Sequence, residues 1–441
     1  MIHILKYLRI LAIAVMCIVS LNSPAAGSPA SVPDSPAAHV LSMWLDAFNS
    51  GDSERVGEFF KKYRPNDQPA GELQFRTQTG AFDLLAITKS EPLHIEFLVK
   101  GRVDGITALG HLDVRNVDSL EVTAYVVRAL PPGVTTGEFA IDATERNHVI
   151  DATLSLLKNG YVFPDVAEGM ASAVRSRQEH RDYDAIENGD AFADQLTQDL
   201  RQVSHDKHLR VGFSPVARSP VSGPLTPEAA AMARRRVERN NCAFDKVEHL
   251  ENNIGYIKLD AFEDPSICES TGAAAMAFIA HVDALIIDLR DNGGGSPAMV
   301  AFMLSYLFAV PTHLTDFVDR TSGVTTQSWT LADVPGPRLD TIPVYVLTSA
   351  RTFSGGEEFA YDLQTLKRAT IIGETTGGGA NTVQDHWIDD RFDIRLPSGR
   401  GINPITKTNW EGVGVQPDIA APAADALEKA QSIARKRVRT N

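Results

Sequence analysis

The chain has 441 residues, 43% of them hydrophobic and 22% charged, with a formal net charge of −14. That length and apolar content suit two or three domains with cores of their own. So acidic a balance argues against nucleic acid, or an anionic membrane surface, as the main partner.

The chain opens with Lys6 and Arg9, the apolar run Ile10–Leu21, and then Ser23, Pro24, Ala25, Ala26 and Gly27. This is the layout of a signal peptide over 1–26, and the apolar run is short for a membrane span. Export to the periplasm or the extracellular space is expected, with cleavage near Ala25–Gly27 and no membrane span afterwards; an uncleaved anchor is the other reading. Cleavage removes two basic and no acidic residues, so the formal charge moves from −14 to −16. Cys17 falls inside the apolar run. Cys242 and Cys268 remain, 26 apart, either as two buried thiols or as a disulfide that loop entropy values at about 3 kcal/mol.

Residues 27–36, rich in Pro, Ser and Ala, read as a linker. Val40, Leu41, Trp44, Leu45 and Phe48 form one apolar helical face, closed by Asn49-Ser50-Gly51, and Val56, Phe59 and Phe60 suggest a second helix. Strand-like runs follow at Leu93–Val99 and Leu120–Leu130. Two helices leading into a curved antiparallel sheet resemble the cone-shaped domains of the NTF2 type. A small α+β domain is therefore expected over 37–132, ending at Pro131-Pro132-Gly133.

A helical subdomain is expected over 142–212, with Val149, Ala152, Leu156 and Leu157 on one face and a break at Asn159-Gly160. Ser155 and Lys158 match the S-x-x-K pattern of penicillin-binding enzymes, but they sit in an amphipathic helix without that family's companion motifs. Further on come His205, Asp206, Lys207 and His208. The histidine spacing would suit a metal, yet neither H-E-x-x-H nor a cysteine cluster accompanies it, and no metal or cofactor is expected. Histidine is also the side chain whose pKa best suits a general base, with a plain surface histidine as the alternative.

Residues 214–240 are Pro-rich and then charged, and Arg234-Arg235-Arg236 reads as a solvated helix face. Ile254–Leu259 and Ala284–Leu289 read as strands. The second enters Arg290-Asp291-Asn292-Gly293-Gly294-Gly295-Ser296-Pro297, where Pro297 is placed to open a helix. This loop lacks the phosphate-cradle patterns. Its other use is to aim bare backbone N–H groups at an oxyanion.

Val344–Leu347 is a buried strand by pattern, Thr348–Thr352 a polar loop, and Phe359, Ala360, Leu363 and Leu366 recur at helical spacing. Ser354 thus stands at a helix N-terminus, beside unpartnered N–H groups and the positive end of the helix dipole. With Glu357 it also makes an S-x-x-E capping box, and a serine there is more often only a cap. Ala369–Glu374 is strand-like and leads into the glycine loop Thr375–Asn381; Phe392–Leu396 is an alternating strand. Gly401–Ile419 reads as loop around Glu411, and 423–441 as a final helix.

In chain order, Tyr161-Val162-Phe163-Pro164, Asp206-Lys207-His208-Leu209, Asn253-Ile254-Gly255-Tyr256, Asp288 through Gly295, Thr352 through Glu357, and Trp410 through Asp418 resemble the S41 peptidases. These are the tail-specific or C-terminal-processing family, and the branch with interphotoreceptor retinoid-binding protein and the tricorn core is nearer. The resemblance covers roughly 145–420. It implies an α/β catalytic domain over 213–422, a ClpP/crotonase-like spiral with a helical N-terminal part. It also implies a serine peptidase acting on peptides or unfolded proteins, with Ser354 as nucleophile and an oxyanion hole from Gly355 N–H with Gly293 or Gly294. The processing branch takes a lysine base from a glycine loop, but Thr376–Ala380 has none, and 212–250 is too short for that branch's PDZ insert. The tricorn-like branch implies His208 as base and Glu411 as its orienter, with His205 and Asp206 in reserve. The other function class the resemblance allows is a non-catalytic module for hydrophobic ligands such as fatty acids or retinoids.

Overall fold

The computed structural model describes residues 32–438 except 66, 68, 131–133, 135 and 219–225. The expected signal peptide lies outside the described residues. The chain divides into two compact units, Met1–Thr136 and Gly137–Asn441.

In the first unit, α1 (Pro36–Ser50) starts at Ser35, whose hydroxyl accepts from Ala38 N–H at 3.2 Å, and stops at Gly51 in the left-handed conformation. It is followed by α2 (Ser53–Tyr63), α3 (Ala70–Thr79) and an antiparallel meander of β1 (Phe82–Ser90), β2 (His94–Gly101), β3 (Thr107–Val114) and β4 (Val122–Ala129). Trp44 is the hub of this core: its ring lies 5.3–6.0 Å from Phe48, Phe82, Phe97 and Tyr125. Its indole N–H donates to Glu72 Oε1 at 2.7 Å, so the buried polar atom is satisfied. The sequence reading lacked α3, β1 and β3. β1 carries two register shifts that break its alternation, and β3 is buried along nearly its whole length instead of every second residue.

The second unit begins with α4 (Ala143–Gly160), α5 (Pro164–Glu179), α6 (Gly189–Ser204) and β5 (Arg210–Phe213). The exposed α7 (Pro227–Arg239) follows; none of its residues is buried. Then come β6 (Phe244–Leu250), β7 (Ile254–Leu259), α8 (Pro265–Phe278), β8 (Ala284–Asp288), α9 (Pro297–Ser305), β9 (Asp316–Asp319) and β10 (Thr325–Thr326). The chain closes with β11 (Val344–Thr348), α10 (Gly355–Thr365), β12 (Thr370–Gly373), β13 (Asn381–Trp387), β14 (Phe392–Ile402), β15 (Ile419–Ala420) and α11 (Ala426–Val438).

One sheet has the order β15-β12-β11-β8-β7-β6, all neighbours parallel except β6 with β7. Its strands read as continuous apolar runs because both faces are covered. Leu285, Ile287, Val344 and Val346 face the core built with α8, α9 and α10. The alternate residues Ala284, Ile286, Tyr345 and Leu347 meet Ala426, Ala430 and Ala434 of α11, whose small side chains at i, i+4, i+8 let the helix lie close. The second sheet is antiparallel, β10-β9-β14-β13, with β5 also paired to β14. This is the mixed α/β class expected. Cys242 and Cys268 are joined as a disulfide with Cα atoms 5.6 Å apart. One stretch read as loop is strand: β14 runs on to Ile402.

Candidate active site

Because β8, β11 and β12 are parallel neighbours, the loops after them emerge along one edge. Side chains tie these loops together. Thr352 Oγ1 donates to Leu289 O at 2.6 Å, Ser349 Oγ to Arg290 O at 2.5 Å, and Phe353 N–H to Asn292 O at 2.9 Å. Gly377 N–H closes the third loop on Thr352 O at 2.9 Å.

Ser354 stands at this junction with φ 52° and ψ −118°, a conformation that costs a non-glycine residue on the order of 1–3 kcal/mol and persists only where its surroundings enforce it. Both capping-box positions are in register, but only the glutamate half closes to a hydrogen bond: Ser354 N–H donates to Glu357 Oε2 at 2.9 Å. Glu357 N–H goes instead to the Ser354 carbonyl at 2.9 Å. The serine side chain faces the Glu357 N–H in the capping-box arrangement but makes no side-chain cap hydrogen bond.

The glycine loop presses against it. A Cβ on Gly294, φ +102°, would stand 2.6 Å from Ser354 Cβ, so only glycine fits there. The N–H of Gly294 is taken by Asn292 Oδ1 at 2.9 Å and that of Gly293 by Asp260 O at 3.0 Å. Among the described residues the N–H groups of Gly295 and Gly355 have no acceptor, and Gly295 N lies 3.1 Å from where a Gly355 Cβ would be. The open donor in this loop thus belongs to Gly295, not to the expected Gly294; the cause is the tight turn that Asn292 makes over its own loop.

His208 lines the same cleft as Ser354, a cavity of about 750 Å³, and its ring lies 4.5 Å from Phe353. A Cβ on Gly379 would reach within 2.7 Å of His208 Cε1. The carboxylate facing its Nδ1 is Asp206, with Oδ1 at 3.8 Å, too far for a hydrogen bond, and Nδ1 has no partner among the described residues. Burial lowers the His208 pKa below its ordinary 6.5; Asp206 opposes this, while Arg395 and Arg201 add to it. Asp206 is itself buried and held by His208 N–H at 2.9 Å, Asn381 Nδ2 at 2.9 Å and the Tyr161 hydroxyl at 3.3 Å.

Glu411 does not contact the histidine. Its Oε2 accepts the N–H groups of Ala380 at 2.5 Å and Asn381 at 3.1 Å, bracing the loop beside His208. Burial, with the charge of Asp206 next, pushes its pKa up to about 7. His205 is exposed in a left-handed position ending α6 and is not part of the cleft wall. Lys207 reaches the glycine loop from the other side, Nζ donating to Gly377 O at 2.6 Å.

Glu357 is the residue whose part the sequence understated. Fully buried, its carboxylate accepts from Ser354 N–H, Thr376 Oγ1 at 2.5 Å, Gly378 N–H at 2.6 Å and Gly379 N–H at 2.8 Å. Burial raises its pKa in spite of those four donors. The S-x-x-E spacing was the only sequence signal for it. Among the described residues no cluster of three or more His, Cys, Asp or Glu could hold a metal ion.

Comparison with known proteins adds a family. Residues 253–421 match peptidase family S41, and residues 143–243 match the N-terminal domain of peptidase S41 in eukaryotic IRBP. Carboxyl-terminal-processing peptidase 2, chloroplastic, from Arabidopsis thaliana is 28% identical over 209 residues, 46% of this chain; the chain spans about two fifths, 39%, of that relative. Among solved structures, a Parabacteroides merdae protein is 17% identical with a TM-score of 0.48, covering 66% of this chain and 96% of that one. The photosystem II D1 C-terminal processing protease is 15% identical with a TM-score of 0.41 (64% and 94%), and the tricorn protease 12% with 0.42 (81% and 42%). The two family matches together cover well over half of the sequence, and the chain belongs to the S41 peptidase family.

Proposed function

We propose that the protein is an exported serine peptidase that cleaves peptide bonds in peptides or unfolded proteins. Ser354 Oγ attacks the carbonyl carbon and His208 accepts its proton, later returning it to the leaving amine. Asp206 lies on the Nδ1 side and favours the imidazolium as it forms; Glu411 fixes the backbone at Ala380 and Asn381, next to the Gly379 that the histidine rests against. The developing oxyanion takes the N–H groups of Gly295 and Gly355. Two unpaired N–H groups beside a serine at a helix N-terminus form a site that needs no further rearrangement to receive negative charge.

The observation that carries this reading is Ser354 itself: a non-glycine residue in a strained conformation, braced by Glu357 and Gly294, whose hydroxyl makes no side-chain cap hydrogen bond. A serine kept only as a cap needs no such strain. Export is supported by the signal-like N-terminus and by the pairing of Cys242 with Cys268, which persists in oxidising compartments.

The test is to incubate the mature protein and its Ser354→Ala variant with unfolded casein and a mixed peptide pool, and to read the products by mass spectrometry. Cleavage by the parent protein alone supports the assignment. Equal cleavage by both sinks the role of Ser354, and no cleavage by either turns attention to the module for hydrophobic ligands, tested next with fatty acids and retinoids.

A further inference from the structure

Glu358 and Asp362, four residues apart, form one column down a face of α10, and Ser354, in a non-helical conformation, caps that helix four residues before Glu358. The two carboxyls are treated very differently. Asp362 accepts from Thr315 N–H at 3.2 Å, Thr315 Oγ1 at 2.8 Å and Asn403 Nδ2 at 3.0 Å. Glu358, one turn from the serine, has no side-chain hydrogen bond: it is 2% exposed, and its Oε1 is buried without a partner among the described residues. Leaving such a group unsatisfied costs about 1–3 kcal/mol. It nevertheless lines the cleft, together with Phe262, Gly295 and Pro297. Burial, with Asp362 below it, raises its pKa well above the ordinary carboxyl value, which favours the uncharged form.

The rest of the cleft is divided by charge. Arg201, Lys207, Arg210 and Arg395 come from α6, β5, β14 and the turn beside His208, whereas Glu263 and Glu358 come from the β7–α8 loop and α10. An acidic side chain is attracted to the first group and a basic one to the second.

Resting on the peptidase reading above, we propose that Glu358 is the specificity-determining residue of this cleft. Its carboxyl accepts hydrogen bonds from a lysine or arginine side chain on the residue whose carbonyl Ser354 attacks. The column sets the position. Gly355, which offers one oxyanion N–H, lies three residues before Glu358 on the same face, so a carbonyl held there has its own side chain beside the Glu358 turn. Phe262 and Pro297 supply apolar wall for the methylene stem of a long basic side chain, whose charged head then meets the carboxyl. A bound cation favours the ionised carboxylate and gives its orphan oxygen donors. An aliphatic side chain of the same length leaves that oxygen unpaired, and sites of this kind discriminate strongly.

The experiment uses the full mature protein and peptides identical except at that one position, carrying lysine, arginine, norleucine, glutamine or glutamate. The expected kcat/KM for lysine and arginine exceeds that for norleucine by at least about 10-fold, and Glu358→Gln, a near-isosteric change, collapses the lysine-to-norleucine ratio toward one. Equal cleavage of the whole series by the parent protein, or a ratio that survives in Glu358→Gln, overturns the proposal. In parallel, the Ser354→Ala protein is titrated with the lysine and norleucine peptides by calorimetry. Without turnover, the peptidase reading fails; a lysine preference in binding that disappears in the Ser354→Ala, Glu358→Gln double variant then still supports the pocket, and equal binding of both peptides overturns it.

Discussion

The backbone N–H of Ser354 and the backbone N–H of Gly379 donate to the same oxygen, Glu357 Oε2, at 2.9 and 2.8 Å. One buried carboxylate thereby couples the nucleophile's turn to the glycine that His208 rests against. Glu357→Gln keeps the volume but turns one face of the clamp into a donor facing other donors. The expected result is a fall in kcat of about 100-fold with KM little changed, because the reacting groups lose alignment and not the substrate, together with a stability loss of about 2 kcal/mol. Steady-state kinetics beside a denaturant melt check both. A KM effect at unchanged kcat would contradict the clamp.

Much of this was legible because the parallel strands are buried on both faces and therefore stand out as short apolar runs ending in polar loops. Ile254–Leu259, Ala284–Leu289 and Val344–Leu347 were read within a residue or so of the observed β7, β8 and β11. Ser354 and His208, separated by 146 positions, are paired only through the family resemblance, since no local pattern reports which distant residues line one cleft. What stayed hidden depends on hydrogen bonds that sequence does not encode locally. That Asn292 occupies Gly294 N–H, so that Gly295 holds the open donor, is one such case. That Asp206, and not Glu411, faces His208 Nδ1 is another. The strands β5, β9 and β13 escaped for a different reason: β5 and β9 are only 4 residues long, and the burial of β9 and β13 is partial and mixed, so alternation gives little signal.

The pH profile follows from two groups. Burial lowers the His208 pKa below 6.5, so the base is neutral and competent from the mildly acidic range upward. Glu411, pushed up to about 7, gains its charge only as pH passes that value, and the ionised carboxylate then holds the Ala380 and Asn381 N–H groups, and with them the loop beside His208, more firmly. The expected kcat/KM rises with pH, with a limb near 7 and a plateau on the alkaline side; Glu411→Gln should erase that limb and leave only the more acidic one. Stability runs the other way. The folded Glu411 holds its proton at pH values where the unfolded group, near 4.5, has lost it. Its contribution is complete below about 4.5 and is lost as pH rises through about 7. Melting temperatures of the parent and Glu411→Gln proteins between pH 5 and 8 test the sign: the parent should lose ground relative to the variant as pH increases.

The disulfide joins the segment entering β6 to α8, and both cysteines are buried in the main core of the second unit. Closing a loop across 26 positions should stabilise by about 3 kcal/mol. Cys242→Ser with Cys268→Ser is expected to lower the unfolding free energy by about that amount, read from denaturant curves. Adding reductant to the parent protein during unfolding should reproduce the shift, and reductant should leave the double variant unmoved. A parent protein indifferent to reductant would argue that the thiols are free in solution.

Neighbouring glycines of the oxyanion loop offer the sharpest contrast. Gly294 sits at φ +102° with Ser354 Cβ 2.6 Å from its missing side chain and Gly355 N at 2.9 Å, so a methyl group there must displace the nucleophile or the loop. Gly293 has nothing within 4 Å of the same position, and its N–H bond to Asp260 O does not depend on the side chain. Gly294→Ala is therefore expected to lower kcat by at least about 100-fold, the scale on which loss of an oxyanion donor is felt. Gly293→Ala, a substitution into open space, should stay within about 2-fold of the parent. Both proteins should fold, which circular dichroism and melting temperature would establish before kinetics are compared. If the two substitutions cost the same, the loop is not held against Ser354 as described, and the oxyanion site must be sought elsewhere in the cleft.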